Sequence, residues 1–123
     1  MIKTTQLILL LFISALTGCG GKTSALLEKE FKEGKVKLTV SGNRSTSVEA
    51  WRVDLSVKAY NFKEGKLSFE IYAADLNDET VSFLWEDDNN CKITFIQRDG
   101  VKRTFHLIAS PEQLQLAEVP VLS

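Results

Sequence analysis

Cys91-Lys92-Ile93-Thr94-Phe95-Ile96-Gln97-Arg98-Asp99-Gly100-Val101-Lys102-Arg103-Thr104-Phe105-His106-Leu107 is the stretch whose reading decides the fold. Cys91, Ile93 and Phe95 alternate with polar residues, as do Phe105 and Leu107, and this period of two belongs to half-buried strands. Antiparallel neighbours keep apolar side chains on one face, so the connector can be tested by parity. A two-residue Asp99-Gly100 turn would set Phe95 opposite Thr104 and mix the faces. A three-residue loop with Gly100 in the left-handed position pairs Gln97 with Val101 and Ile93 with Phe105, and this register is the one expected.

Working outward, the same alternation recurs in Val36, Leu38 and Val40; in Trp51, Val53, Leu55, Val57 and Ala59; in Leu67, Phe69, Ile71 and Ala73; and in Val81, Phe83 and Trp85. The polar run Ser41 to Ser47 reads as a surface loop. Loops centred on Phe62-Lys63-Glu64, Leu76-Asn77-Asp78 and Asp87-Asp88-Asn89 extend the register over five strands. One inner row is then Leu55, Ile71, Phe83, Ile93 and Phe105, and the next is Val57, Phe69, Trp85, Cys91 and Leu107. The opposite face carries Asp54, Tyr72, Ser82, Thr94 and Thr104 in one row, and Ser56, Glu70, Leu84, Lys92 and His106 in another.

A sheet with one apolar face must be covered. The candidates are the first strand, a short amino-terminal helix and the carboxy-terminal segment. Ser24 to Glu33 reads as that helix, with Leu27 and Phe31 four apart and Gly34 as its left-handed stop. Ser110-Pro111-Glu112-Gln113 has the form of a capped helical turn, after which Leu114 to Leu122 returns as a strand interrupted by Pro120. The expected fold is therefore mainly β, a small antiparallel meander forming a sandwich or flattened barrel with one short helix. The alternative is α+β, a helix packed on a five-stranded meander. The two differ in whether Ser24 to Glu33 is buried on one face.

At 123 residues, with 44% apolar and 25% charged, the composition is that of a single globular domain. The beginning of the chain departs from it. Lys3 is followed by an almost continuously apolar run from Leu7 to Leu16, and no acidic residue precedes Glu28, a signal-peptide profile. The run is about half the length a transmembrane helix needs. It ends in Leu16-Thr17-Gly18-Cys19, which resembles the lipobox of bacterial lipoproteins. That resemblance implies cleavage by signal peptidase II between Gly18 and Cys19, diacylation of the Cys19 thiol and an anchor of two or more acyl chains. Gly20, in place of an aspartate, implies the outer membrane if the host has one. The chain then divides into a leader (1–18), a lipidated tether and short helix (19–34) and a single β domain (35–123).

Cys91 is the other of the two cysteines. With Cys19 acylated no disulfide partner remains, and the core alone must hold the domain. Loss of Lys3 with the leader leaves a mature net charge of −2, with 16 acidic residues and no basic cluster, which argues against nucleic acid and against an electrostatic membrane signal.

Candidate sites are few. Glu86-Asp87-Asp88-Asn89-Asn90 clusters oxygen ligands without the spaced set and glycine of a calcium loop, so it reads first as a polar turn and no metal or other cofactor is expected. Asp75, Asn77, Asp78 and Glu79 form a second acidic turn, at the opposite end of the meander. His106 lies on the wet face beside Lys92 with no nucleophile to complete a triad. Cys91 points inward as a small core residue, and Trp51 and Trp85 read first as core, with contact to a ligand from a sheet edge as the alternative. Arg103 falls on the inner face at the hairpin end, where it either snorkels or marks a polar mouth. Phe62 sits at a loop tip, folding back over the core or meeting a partner. Phe62, Asp87, Asp88 and Arg103 are thus the possible ligand or partner contacts. The function expected is a lipid-anchored, non-catalytic binding or accessory domain with an unidentified envelope protein as partner. The alternative is an inhibitor or protective factor acting on a hydrolase.

Overall fold

The computed structural model describes residues 23–120. The leader, the lipobox and Cys19 lie outside the described residues. Eight antiparallel strands follow one another: β1 (Thr23–Phe31), β2 (Val36–Arg44), β3 (Trp51–Ala59), β4 (Gly65–Ile71), β5 (Val81–Trp85), β6 (Asn90–Ile96), β7 (Lys102–Ser110) and β8 (Gln113–Glu118). They form two four-stranded meanders, β1-β2-β3-β4 and β5-β6-β7-β8. The fold is mainly β, and the two sheets stack without closing into a barrel.

The deciding hairpin has the expected register. Ile93 pairs with Phe105 and Cys91 with Leu107; the Gln97 amide donates to the Val101 carbonyl at 3.0 Å; and Gly100 has a φ of 87°. Trp85 opposite Cys91 and Phe83 opposite Ile93 also follow the sequence reading.

The surface loop expected over Ser41 to Ser47 is shorter, since Ser41 to Arg44 continues β2 and pairs with β1, and four further expectations are corrected. Thr23–Phe31 is strand β1, paired with β2 along its whole length, instead of a helix. A spacing of four is even, so Leu27 and Phe31 share a face in a strand as well as in a helix. Lys29 falls in the inward row of β1 and hides the alternation, and its ammonium emerges to meet Asp78 at 2.8 Å. An inward charge on an edge strand also discourages pairing with another chain. Gly34 is left-handed, with φ 83°, but it turns a hairpin instead of ending a helix.

Secondly, β3 and β4 are displaced by four residues from the expected register, so that Leu55 faces Leu67 and Val53 faces Phe69. An even slip leaves every side chain on its face, and alternation alone is blind to it. Thirdly, β4 and β5 do not pair. The segment 72–80 satisfies its polar groups locally, with Asn77 Oδ1 accepting from the Glu79 amide at 2.8 Å and the Thr80 hydroxyl donating to the Asp75 carbonyl at 2.7 Å. It crosses from one sheet to the other and drives Leu76 into the core, 5% exposed. Gly42 makes room for it, since a Cβ there would lie 2.4 Å from Leu76 Cδ1.

Finally, Ser110 to Gln113 is a tight hairpin between β7 and β8, in which the Gln113 amide donates to Ser110 Oγ at 3.1 Å. Proline at a turn corner and proline at a helix start share the same fixed φ, so the motif fits both.

The core lies between the sheets. Val36, Leu38, Leu55, Val57 and Ile71 from one side meet Ile93, Phe95, Phe105 and Leu107 from the other, all fully buried. Each such side chain contributes about 1.5–3 kcal/mol through burial. Phe69 stacks on Phe105 at 4.3 Å between ring centroids and joins the sheets at the β4 and β8 side. Phe31 meets Phe83 and Trp85 at 5.9 and 5.4 Å and joins them at the β1 and β5 side. The strands share two ends. One carries Thr23 and the loops 45–50, 72–80 and 97–101; the other carries the loops 32–35, 60–64, 86–89 and 111–112.

Candidate functional site

The end opposite Thr23 gathers the most unusual local chemistry. In the β1–β2 hairpin Lys32 and Glu33 are left-handed, with φ of 55° and 58°, immediately before Gly34. Tyr60, in the β3–β4 loop, has a φ of 54°. A left-handed residue other than glycine costs about 1–2 kcal/mol, and such residues persist only where surrounding structure holds them. Here the Tyr60 amide donates to the Lys35 carbonyl at 3.0 Å, and the Lys35 amide to the Lys32 carbonyl at 3.2 Å. The two loops are tied into one lip.

The bent hairpin aims Lys32 across the sandwich. Its ammonium lies 4.6 Å from the centroid of the Trp85 ring and 3.5 Å from the Ala109 carbonyl. Trp85 rests edge-on against Phe31, and its Nε1 is buried with no hydrogen-bond partner. Asp87 sits beside them in a closed turn. Its Oδ1 accepts the amides of Asn89 and Asn90 at 2.8 and 2.9 Å, and both carboxylate oxygens accept the Asn90 side chain at 2.9 Å. These bonds, led by the Asn90 side chain, lower the Asp87 pKa and keep it anionic.

Two adjoining clefts result. One, of about 340 Å³, is lined by Lys32, Glu33, Lys35, Tyr60, Asp88 and Asn89; the other, of about 220 Å³, by Phe31, Lys32, Trp85, Asp87 and Asp88. An indole, a phenol, two cations and three carboxylates converge on a shallow surface. That set can hold an extended polypeptide or another amphipathic group through stacking and charge, and it offers no nucleophile with an adjacent base.

Of the residues singled out from the sequence, Phe62, Asp87 and Asp88 lie at this end, where Asp87 and Asp88 line the clefts and Phe62 lines neither. Phe62 is half-buried, with its amide donating to the Ala59 carbonyl at 3.1 Å. Arg103 lies elsewhere. It forms a bidentate pair with Glu118 at 2.8 and 2.7 Å, reaches the Glu70 carbonyl, and covers Phe69 and Phe105 at 5.2 and 5.8 Å. Arg103 thereby seals the β4 and β8 side of the core, and the pair lowers the Glu118 pKa. The sequence pattern does not single out Lys32 and Tyr60, and it favours a core position for Trp85 over a ligand contact. The signal for Lys32 lay in the run before Gly34, which the helix reading absorbed; nothing in the pattern marked Tyr60.

His106 Nε2 and Asn90 Oδ1 are hydrogen-bonded at 2.9 Å on the wet face, next to the Lys92–Glu86 ion pair at 3.4 Å. Cys91 is fully buried as a free thiol, and burial pushes its pKa up to about 11. Among the described residues no group of three or more His, Cys, Asp and Glu side chains could hold a metal ion, and no helix is long and apolar enough to cross a membrane. A further hollow of about 520 Å³ lies over the outer face of the first sheet, lined by Asn43, Arg52, Glu70 and Tyr72 among others. Its neighbours are polar and in regular conformation except for the loop 45–50. In comparison with known proteins, the chain matches no family model, no curated protein and no solved structure.

Proposed function

We propose that this chain is a lipid-anchored envelope protein whose β domain is a non-catalytic binding or accessory module. The observation that carries the reading is Leu16-Thr17-Gly18-Cys19 at the close of the apolar run from Leu7 to Leu16. Acylation of Cys19 places the domain at the cell envelope, on the outer membrane in a host that has one, since two or more chains give stable anchoring. The non-catalytic part is supported by the pairing of His106 with Asn90 rather than with a carboxylate or nucleophile, and by the sealed thiol of Cys91. The binding part is supported by the lip in which Lys32 and Tyr60 are held in costly left-handed conformations and Lys32 lies over the Trp85 ring.

Labelling cells with a fatty-acid analogue tests the anchor: the label enters the wild-type chain and is lost in Cys19→Ser, whereas label persisting in Cys19→Ser would overturn it. Crosslinking in intact cells tests the module. An envelope protein should be recovered with the wild type and lost with Lys32→Glu, while turnover of a substrate that depends on His106 would refute the non-catalytic reading. Recovery of a hydrolase whose activity the chain suppresses would make the binding inhibitory.

A further inference from the structure

We propose that the sandwich end bearing Thr23 lies against the bilayer, with Val48, Tyr72 and Val101 in contact with its headgroup region. The inference rests on the reading of Cys19 as the acylated residue. Strand β1 begins at Thr23, four residues after Cys19. Four extended residues reach at most about 14 Å, so the tether holds this end close to the membrane surface.

The surface it brings there is the apolar one. Of the six exposed large apolar side chains among the described residues, four belong to this end: Val48 at 74% exposure, Tyr72 at 58%, Val101 at 48% and Val119 at 37%. The loops of the opposite end contribute none of the six. The four come from separate segments, and only the stacking of the two meanders collects them.

Val48 is also held out firmly. Arg44 and Arg98 both donate to the Ser47 carbonyl, and Arg44 further ties the loop to the carbonyls of Ala73 and Ala74 at 3.4 and 3.2 Å. A fixed loop that displays valine beside a tyrosine suits an interface, where an aromatic ring with a polar tip is at home. Charge does not drive the contact, because Arg44, Arg98 and Lys102 are offset nearby by Glu49, Asp75 and Asp99. The apolar tips need the acyl anchor to keep them at high effective concentration over the lipid. A consequence is that the Lys32, Tyr60 and Trp85 lip points away from the membrane, toward a partner.

The test uses the full acylated chain in phosphatidylethanolamine and phosphatidylglycerol vesicles carrying doxyl-labelled lipid. An environment-sensitive fluorophore is attached at Val48→Cys, Val101→Cys or, at the far end, Asn61→Cys; Cys91 is buried and stays in place. The two ends are separated by nine-residue strands, on the order of 30 Å. Labels at positions 48 and 101 should shift to the blue and be quenched severalfold more than the label at 61. Equal, weak quenching at all three in vesicle-bound, acylated protein would overturn the orientation and leave the anchor standing. A blue shift at 48 and 101 without lipid quenching would assign that end to a protein contact and also overturn it. Absence of the acyl mass on Cys19 would remove the anchor and this inference together.

Discussion

Gly42→Ala should destabilise the domain through one specific collision. An alanine Cβ would stand 2.4 Å from Leu76 Cδ1, 3.2 Å from Trp51 Cε3 and 3.5 Å from the Arg52 carbonyl oxygen. Carbon atoms rest about 3.5–4.0 Å apart, so Leu76 must move by more than about 1 Å. Its freedom to do so is small, because Leu76 is 5% exposed and the crossover beneath it is tied by the Trp51 Nε1 bond to the Ala73 carbonyl at 3.1 Å. Overpacking of this kind costs about 1–3 kcal/mol, and the loss of glycine's freedom in the unfolded chain returns about 0.4–1 kcal/mol. The net expectation is a loss of about 1–2 kcal/mol, read from urea denaturation followed by tryptophan fluorescence. In a Leu76→Ala background the main obstacle is gone and only the milder approach to Trp51 Cε3 at 3.2 Å remains, so Gly42→Ala should cost under about 1 kcal/mol, a coupling of about 1 kcal/mol. If Leu76→Ala, at about 2–5 kcal/mol for the cavity, leaves too little folded protein, Leu76→Val serves. Additivity of the two substitutions to within about 0.3–0.5 kcal/mol would refute the reasoning and return 72–80 to the status of an ordinary surface loop.

Other outcomes follow from the same geometry. The Glu118 pKa is lowered below its ordinary value of 4.5, by the hydrogen bond from Arg103 first. The pair therefore stabilises the fold above pH 4.5 and loses that contribution as pH falls through the depressed value. Glu118 is 37% exposed, so solvent screening holds the effect under about 1 kcal/mol, and Glu118→Gln should flatten acid denaturation in that window. Arg103→Ala should cost more, about 1–2 kcal/mol at pH 7, because it also uncovers Phe69 and Phe105; equal costs for the two variants would contradict the covering role. Glu33→Gly relieves a φ of 58° at an exposed position and should raise stability by about 0.5–1 kcal/mol with an unchanged urea slope, a loss instead arguing against backbone strain in the lip. Cys91, with its thiol raised to about 11 by burial, should resist a thiol reagent at pH 8 in the native state and react once the chain is unfolded; rapid native labelling would place it outside the core.

How much of this was legible before folding depends on which residues carry it. The hairpin from Cys91 to Leu107 could be solved because a one-residue error in its loop throws Phe95 onto the face of Thr104, a mistake that alternation exposes. The β3–β4 pairing could not, because the true register differs from the expected one by an even number of residues, with Leu55 on Leu67 instead of Ile71. Ser24 to Phe31 failed for a related reason. Leu27 and Phe31 satisfy both periods, and Lys29, the residue that breaks the alternation, is accommodated by Asp78, some fifty positions away. The site divides in the same manner. Asp87, Asp88 and Phe62 could be placed at one end by counting connections, whereas Lys32 and Tyr60 are joined because two hairpins share a hydrogen bond, and Trp85 joins them because the second sheet packs its ring against Phe31 and Lys32.

Sequence by itself determined strands β5 to β7, their register and inner face, and the inward position of Cys91, since each depends on residues close in the chain. Tertiary structure alone decided that the meander breaks after β4 into two sheets, that Leu76 plugs the core under Gly42, that Arg103 seals its edge against Glu118, and that the apolar tips collect at the end bearing Thr23. Those outcomes depend on which faces find one another in space, and periodicity, which reports only the face on which a residue lies, carries no information about the partner that covers it.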